Sequence, residues 1–358
     1  MTKKNEKIPF GIFLNFLLCC MSYFIPKKDY LFLIGSREGN FFADNPKYLY
    51  LYANKIKDKN KFVWMTKNKK VVNQLKKRGL PVLYMRSLKS FLSILRAERL
   101  ILSDTPEDIS YYMLLPGRFK FIEMWHGNPM KELSFASKED TLNSKIHGFL
   151  LRWQYSNNEF VLHTCERTKK QLENCFVTKK VKILGYPRND GLFKPTNFEE
   201  IPDLKKYKKI LFYLPTFRDK KPSKLPFTKK GLENINKLLK EKNYLLLVKK
   251  HFAEKNWYVK KGFSNIFDVS YMADCQEALS KTDILITDYS GAAFDFSLLN
   301  KPIIFYSYDY EEYSKKSRKI IIDYFNEIPG PFVKNEKELV KLIKNTNKWF
   351  KNKKYKKK

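Results

Sequence analysis

Cysteine is scarce in this chain and carries no pattern. Cys19, Cys20, Cys165, Cys175 and Cys275 form no CxxC pair and have no metal-like spacing to the four histidines, so a thiolate metal site is excluded and a reduced compartment is the simpler reading. The adjacent Cys19 and Cys20 suit either lipid attachment or burial in an apolar helix. No GxxxxGK[ST], DxD or HExxH signature occurs, which leaves a nucleoside triphosphatase or a metal-dependent site without support. RNP, KH and helix-turn-helix patterns are missing too, and no low-complexity or solenoid period is present. Acidic residues are few: 37 against 70 basic ones, a formal charge of +33. An imbalance of that size points to an anionic partner such as nucleic acid, an acidic polymer or an anionic membrane face. Lysine spread through nearly every loop is also what a compositional bias toward Lys and Asn produces.

What is present is enough for folded domains. Hydrophobic content of 43% and aromatic content of 16% exclude wholesale disorder, and 358 residues give room for two α/β domains. Residues 10–25 (FGIFLNFLLCCMSYFI) form one apolar run, flanked by Lys3, Lys4 and Lys7 on one side and Lys27 and Lys28 on the other. The run is short for a spanning helix and no A-x-A-like cleavage site follows. It reads as a membrane-associating helix lying in the cytoplasmic interface against anionic headgroups, with a first core helix as the alternative.

From residue 30 onward, short apolar runs alternate with amphipathic stretches. Strands are predicted at 30–34, 61–65, 81–84, 100–102, 119–124, 159–162 and 181–184, and helices at 47–56, 71–77, 88–97 and 166–175. Residues 194–209, with Pro195 and Pro202, read as a linker. The alternation then restarts, with strands at 210–214, 244–249, 266–269, 283–287 and 302–306 and helices at 231–241, 273–280 and 292–299. The expectation is an α/β protein of two Rossmann-like domains (28–195 and 196–345) facing an interdomain cleft, preceded by the segment 1–27 and followed by a basic tail, 346–358.

Polar clusters follow the predicted strands, where open α/β sheets bind ligands. In TDYSGAAFDF, a turn at residues 288–291 opens a helix, and Ser290 and Gly291 let an anion approach unpaired N–H groups. Asp288 lies in the same turn. Asp295, about one helical turn further on, suits a ribose or polyol hydroxyl or simply a helix cap. In EMWHGNPMKELSF, His126 can move a proton near neutral pH and is read as a base acting on a hydroxyl, with Gly127 allowing close approach and Glu123 a possible orienter of the ring. LGYPRND offers Arg188 as a phosphate fork. In LPTFRD, Thr216 breaks the strand and Arg218 can reach the same anion or pair with Asp219. LLLVKKHF ends in Lys249, Lys250 and His251, the last placed to donate to a diphosphate and to stabilise charge as a phosphate leaves. Together these residues describe a cleft enzyme handling a phosphorylated, nucleotide-linked substrate without a metal.

WHGNPMKELSF, LGYPRNDGLF, LPTFRD, KKHF and ITDYSGAAFDFSLLNKPIIFYSYDYEEY, in this order, closely resemble the CDP-glycerol glycerophosphotransferase family, over about residues 28–345. The resemblance implies a GT-B-like fold and peripheral association with the cytoplasmic face of the cell membrane. It implies transfer of glycerol phosphate from CDP-glycerol, a substrate rather than a cofactor, to a lipid-linked acceptor with release of CMP; no cofactor and no specific nucleic acid are expected. Carried over by position, His126 looks like the family's base, His251, Arg188 and Arg218 like diphosphate ligands, and Gly127, Asn128, Thr216, Lys250, Asp288, Ser290, Gly291 and Asp295 like donor contacts. Three positions depart from the family pattern: Gly291 replaces a second serine, Asn128 a threonine, and Phe252 the proline after the histidine. Glycerol phosphate is the first choice of donor group, with ribitol phosphate or another phosphopolyol as runner-up and a sugar-nucleotide GT-B glycosyltransferase as a further alternative. The length points to a primase or a capsule enzyme rather than a long-chain polymerase.

Overall fold

The computed structural model describes residues 8–57, 59–110, 117–130, 155–218, 226–251, 262–316 and 320–351. Readings that rested on Lys3, Lys4, Lys7, Asp219, Phe252, the segment 131–135 and the tail from 352 lie outside the described residues. The chain divides into two compact units, Met1–His126 with Leu133–Asp190 and Gly127–Glu132 with Gly191–Lys358.

In the first unit the helix α1 (Ile8–Phe24) leads into the strand β1 (Lys28–Ile34). Then come the helix α2 (Asp44–Lys55), β2 (Lys61–Thr66), α3 (Lys69–Lys77), β3 (Val82–Tyr84), α4 (Leu88–Arg96), β4 (Ala97–Leu102), β5 (Lys120–Glu123), β6 (Asn158–His163) and β7 (Val181–Ile183). The strands pair in parallel in the order β3-β2-β1-β4-β5-β6-β7. Apolar runs such as residues 31–34 of β1 and 100–102 of β4 are the kind expected of a sheet covered on both faces. Leu31, Leu33, Val63, Met65, Leu100 and Phe121 form one core with Ile94 and Leu95 of α4.

In the second unit, β8 (Lys209–Tyr213), β9 (Tyr244–Val248), β10 (Ile266–Asp268), β11 (Ile284–Thr287), β12 (Ile303–Tyr306) and β13 (Phe332–Val333) pair in the order β10-β9-β8-β11-β12-β13, again in parallel. Every residue of β9 and β11 is buried. The helix Lys229–Lys242 starts with Thr228, whose hydroxyl accepts from Gly231 N–H, and ends at Asn243 in the left-handed region, a residue type that tolerates it. In both sheets sequential strands run outward from a centre in two directions. The strand order therefore reverses between β1 and β4 in the first unit and between β8 and β11 in the second, and such switch points are where open α/β sheets take ligands.

The predicted linker is fastened to the second unit. Phe198 N–H and Glu199 N–H donate to the Glu277 carboxylate, which Thr196 also bonds, and the Glu199 carboxylate accepts from Ala273 and Asp274 N–H. The end of α1 is docked as well. Leu18 and Ser22 are buried, Ser22 Oγ accepts from Arg118 N–H at 2.8 Å, and a Cβ on Gly117 would meet that Oγ at 2.2 Å. Phe16, Leu17, Tyr23 and Phe24 remain exposed. Lys27 is not the free headgroup binder its sequence position suggests. Its Nζ donates to Leu95 O at 2.9 Å and lies 4.4 Å from the Phe119 ring, and burial, with Arg118 nearby, brings its pKa down to about 8. No helix among the described residues is long and apolar enough to cross a membrane.

Candidate active site

At the switch point of the first unit, the residues following β1, β4, β5 and β7 converge. His126 lies just past β5, on a loop that breaks sharply: Trp125 has φ 50°, a conformation that costs an aromatic residue energy unless its surroundings enforce it. They do. Glu123 Oε1 accepts from Trp125 N–H at 2.8 Å, and Asn45 Nδ2 donates to Met124 O at 3.0 Å and Trp125 O at 2.7 Å. Arg188 Nη1 donates to His126 O at 2.6 Å, and the Trp125 ring lies over the imidazole with centroids 3.9 Å apart.

The imidazole itself is oriented by a backbone carbonyl. His126 Nδ1 lies 3.2 Å from Ser103 O. A carbonyl only accepts, so Nδ1 carries the proton of the neutral ring and Nε2 keeps a lone pair. Burial, followed by the charge of Arg37, lowers the pKa of His126 from its ordinary value, while Asp104, Asp44 and the Ser103 carbonyl work against that fall. A neutral ring at neutral pH with its lone pair on Nε2 is the form a general base requires. Glu123, expected from sequence as the orienter, instead holds the Trp125 backbone, and burial pushes its pKa well up.

Arg188 is buried in an ion pair rather than presented as an open fork. Its Nη1 lies 2.9 Å from Asp44 Oδ1, and Asp44 Oδ2 takes Arg37 Nη2. Burial alone would raise the pKa of Asp44, but Arg37 and then Arg188 hold it well below the usual carboxylate range. Asn45 Oδ1 accepts Arg188 N–H at 3.2 Å. The first turn of α2 thus ties the β7 loop to the His126 loop.

The second unit gathers its polar residues at its own switch point, after β8 and β11. Asp288 is fully buried: Oδ1 accepts from Thr216 N–H at 2.8 Å and Tyr289 N–H at 2.6 Å, and Oδ2 pairs with Arg218 Nη2 at 2.9 Å. Asp288, expected from sequence as a donor contact, thus staples two strand ends together, with both oxygens bonded within the protein. Arg218 also grips Asp309, through Nε at 2.8 Å and Nη2 at 3.0 Å, and donates to Thr216 O at 2.7 Å. Tyr289 and Tyr313 face its guanidinium at 5.3 and 4.9 Å. Its partners are Asp288 and Asp309, so it fixes the Thr216 turn.

Beside that scaffold are groups with bonding capacity left over. Thr216 Oγ1 is buried with no hydrogen-bond partner among the described residues. The N–H groups of Ser290 and Gly291 donate to no described residue, whereas Ala292 N–H lies 3.3 Å from Ser290 Oγ. Asp295 is buried beneath them and accepts from Gln276 Nε2 at 3.1 Å. Gly291 has a reason to lack a side chain other than anion approach: a Cβ there would lie 2.7 Å from Asn128 O. The segment that includes Gly127 and Asn128 belongs to this unit, and Met130 O accepts Ile321 N–H at 3.0 Å. His251, past β9, is half-buried with its ring 5.5 Å from that of Phe217, while Lys250 N–H donates to Ser270 Oγ and Lys249 Nζ to Met272 O.

Sequence reasoning missed Asp44, Asn45, Ser103, Gln276 and Asp309. Asp44 and Asn45 stand at the start of an amphipathic helix, where they read as ordinary cap residues. Asp309 sits in the quoted YSYDYEEY run without a visible partner.

Residues 17–358 match the family described as CDP-Glycerol:Poly(glycerophosphate) glycerophosphotransferase. The chain belongs to that family. Among its relatives it is 28% identical over 341 residues to the teichoic acid poly(glycerol phosphate) polymerase of Bacillus subtilis (strain 168), covering 91% of this chain and 45% of the relative. It is 29% identical over 349 residues to the teichoic acid glycerol-phosphate transferase of Staphylococcus aureus (strain NCTC 8325 / PS 47), covering 89% and 84%. The chain therefore spans less than half the length of the first relative and most of the second. Among solved structures, the wall teichoic acid polymerase TagF superposes with a TM-score of 0.77 at 23% identity, covering 96% of this chain and 87% of that one. The likeness to TagF shows that this chain has the same fold as that polymerase.

Proposed function

We propose that this family member moves glycerol phosphate from CDP-glycerol to a hydroxyl of a lipid-linked acceptor or growing cell-surface polymer and releases CMP. The observation that carries the reading is His126: its Nδ1–H is held by Ser103 O, so Nε2 is left as the proton acceptor, within the residues that match the family. In this reaction Nε2 takes the acceptor's hydroxyl proton as its oxygen attacks the β-phosphorus of the donor. The new O–P bond forms as the bond from that phosphorus to the bridging oxygen breaks, and CMP departs with the electron pair.

The second unit supplies the donor seat. Thr216 Oγ1 and the N–H groups of Ser290 and Gly291 are the donors with unused capacity, His251 is the hydrogen-bond donor and Lys250 the positive charge for the leaving diphosphate oxygen. Arg188 holds the His126 loop of the first unit through His126 O, and Arg218 holds the Thr216 turn of the second through Asp288 and Asp309. Asp295, turned toward Gln276, supports the seat from below. The exposed Phe16, Leu17, Tyr23 and Phe24 of α1 support peripheral attachment at the cytoplasmic membrane face, where the lipid-linked acceptor would be met.

A ribitol donor is the second reading, because the poly(ribitol-phosphate) polymerase of Bacillus spizizenii (strain ATCC 23059 / NRRL B-14472 / W23) is 29% identical over 72% of this chain. Purified protein with detergent-solubilised lipid acceptors, offered CDP-glycerol, CDP-ribitol and sugar nucleotides, decides between them by CMP or other nucleotide release. CMP release fastest from CDP-glycerol is expected; turnover with a sugar nucleotide alone would overturn the proposal.

A further inference from the structure

Asp108 lies in no motif that the function absorbs, yet it is fully buried beneath the His126 site and takes four hydrogen bonds. Its Oδ2 accepts from Ser103 N–H at 2.7 Å, Ser103 Oγ at 3.0 Å and Asp104 N–H at 3.0 Å, and its Oδ1 accepts from Glu38 N–H at 2.6 Å. The loop after β1 is pressed against the same residue, since a Cβ on Gly35 would fall 1.9 Å from Asp108 O. The peptide joining Ser103 to Asp104 is therefore gripped at both ends. Its N–H points at Asp108, and because a trans peptide sets N–H and C=O in opposite directions, its carbonyl points the other way, to His126 Nδ1 at 3.2 Å.

Resting on the reading of His126 as the base, we propose that Asp108 is a positioning residue that fixes the tautomer and basicity of His126 through the Ser103–Asp104 peptide. The carboxylate polarises the peptide from its N–H side, which makes Ser103 O a stronger acceptor for Nδ1–H and favours the imidazolium that forms when Nε2 takes a proton. The relay does the work of a carboxylate bonded directly to a catalytic histidine, with one peptide group in between. During the transfer no electron or proton leaves Asp108; only His126 changes protonation. Other charges face the pair: Arg37, Asp44 and Asp104 around His126, and Asp104 around Asp108, with the buried Glu123 nearby. Burial, then the charge of Asp104, lifts Asp108 to about 7 against its hydrogen bonds, so its ionisation falls in the range where a pH profile reads it.

Asp108→Asn keeps the shape and one acceptor oxygen but removes the charge. In the variant, kcat is expected to fall about tenfold with KM for CDP-glycerol unchanged, and the acid limb of the rate profile to move to lower pH. In 15N spectra of labelled histidine, with the His126 signal assigned by loss in His126→Ala, wild-type protein should show the Nδ1–H tautomer and the variant a mixture. A merely structural role would lower the melting temperature without moving the acid limb or the tautomer. Folded Asp108→Asn protein with wild-type kcat, an unmoved acid limb and an unchanged tautomer overturns the proposal. If the variant does not fold, the wild-type spectrum decides: Nδ1–H supports the relay and Nε2–H overturns it. His126→Ala keeps the two ideas apart, because a fully active His126→Ala protein defeats the base reading itself, whereas an inactive one beside an unaffected Asp108→Asn defeats only the relay.

Discussion

Gly291 and Asn128 touch through their backbones: the space a side chain at position 291 would fill is occupied by the Asn128 carbonyl, 2.7 Å from where the Cβ would sit. Packing against Asn128 thus gives position 291 a reason to be glycine apart from any donor. Gly291 has φ −59°, so a larger residue there meets a steric obstacle and no backbone strain.

Gly291→Ala and Gly291→Ser should each lower stability by about 1–3 kcal/mol, the usual range for overpacking a tight site. Urea unfolding followed by intrinsic fluorescence measures it. A change below about 0.5 kcal/mol would mean that the Asn128 segment yields freely.

Removing Arg218 leaves Asp288 and Asp309 facing each other's charge without their common partner. Arg218→Met should cost about 3–5 kcal/mol, as breaking one side of a buried ion pair does. Arg218→Lys should recover only part, because an ammonium cannot reproduce the contacts that Nε and Nη2 make to Asp309 together with the Nη2 contact to Asp288. Equal stability of the Lys variant and the natural protein would contradict this account of the fork.

The sign of the acid response follows from Asp44. Its folded pKa is depressed, so it contributes stability that is present above its unfolded value of about 4 and is lost as pH falls below it. His163 acts in the same direction higher up. Burial lowers it to about 4 from its ordinary 6.5, so the native state resists its protonation and stability falls as pH drops between those values. Asp44→Asn should flatten the melting temperature profile below about pH 4, and His163→Gln should flatten it between about 4 and 6.5. An unchanged slope in either variant would refute the corresponding assignment.

Attachment to membranes is tested better by point changes than by deleting α1, because Leu18 and Ser22 are built into the first unit through Gly117 and Arg118. Phe24 is 85% exposed, so Phe24→Asp should leave the fold intact. Co-sedimentation with vesicles of anionic lipid should drop several-fold for Phe16→Asp/Phe24→Asp protein. Undiminished co-sedimentation would remove α1 from the attachment surface.

Much of this fold was legible because parallel strands buried on both faces leave uninterrupted apolar runs, as in residues 244–248 and 284–287. The two-residue strand Phe332–Val333 is too short to show a period, and the lysines of the helix Glu336–Lys344 after it make it read as part of the basic C-terminal stretch. Histidines and the TDYSG turn stood out at strand ends. What did not stand out was which polar residues face a ligand and which hold the frame. Asp288 looks like a ligand in a motif, but both its oxygens are buried and bonded within the protein. Arg188 and Asp44 are 144 residues apart in sequence, and nothing local announces their pairing. Ser103 meets His126 through its backbone carbonyl, which every residue possesses, and the Asp108 carboxylate bonds backbone N–H groups of Glu38, Ser103 and Asp104, so no pair of residue types marks the contact.

Nε2 of His126 is the proposed acceptor of the attacking hydroxyl's proton. The most direct test is the single-turnover rate of CMP release from CDP-glycerol, in the presence of acceptor, by His126→Ala protein shown to be folded by its melting transition. A fall of about 100-fold or more is predicted. A rate equal to that of the natural protein would contradict the assignment.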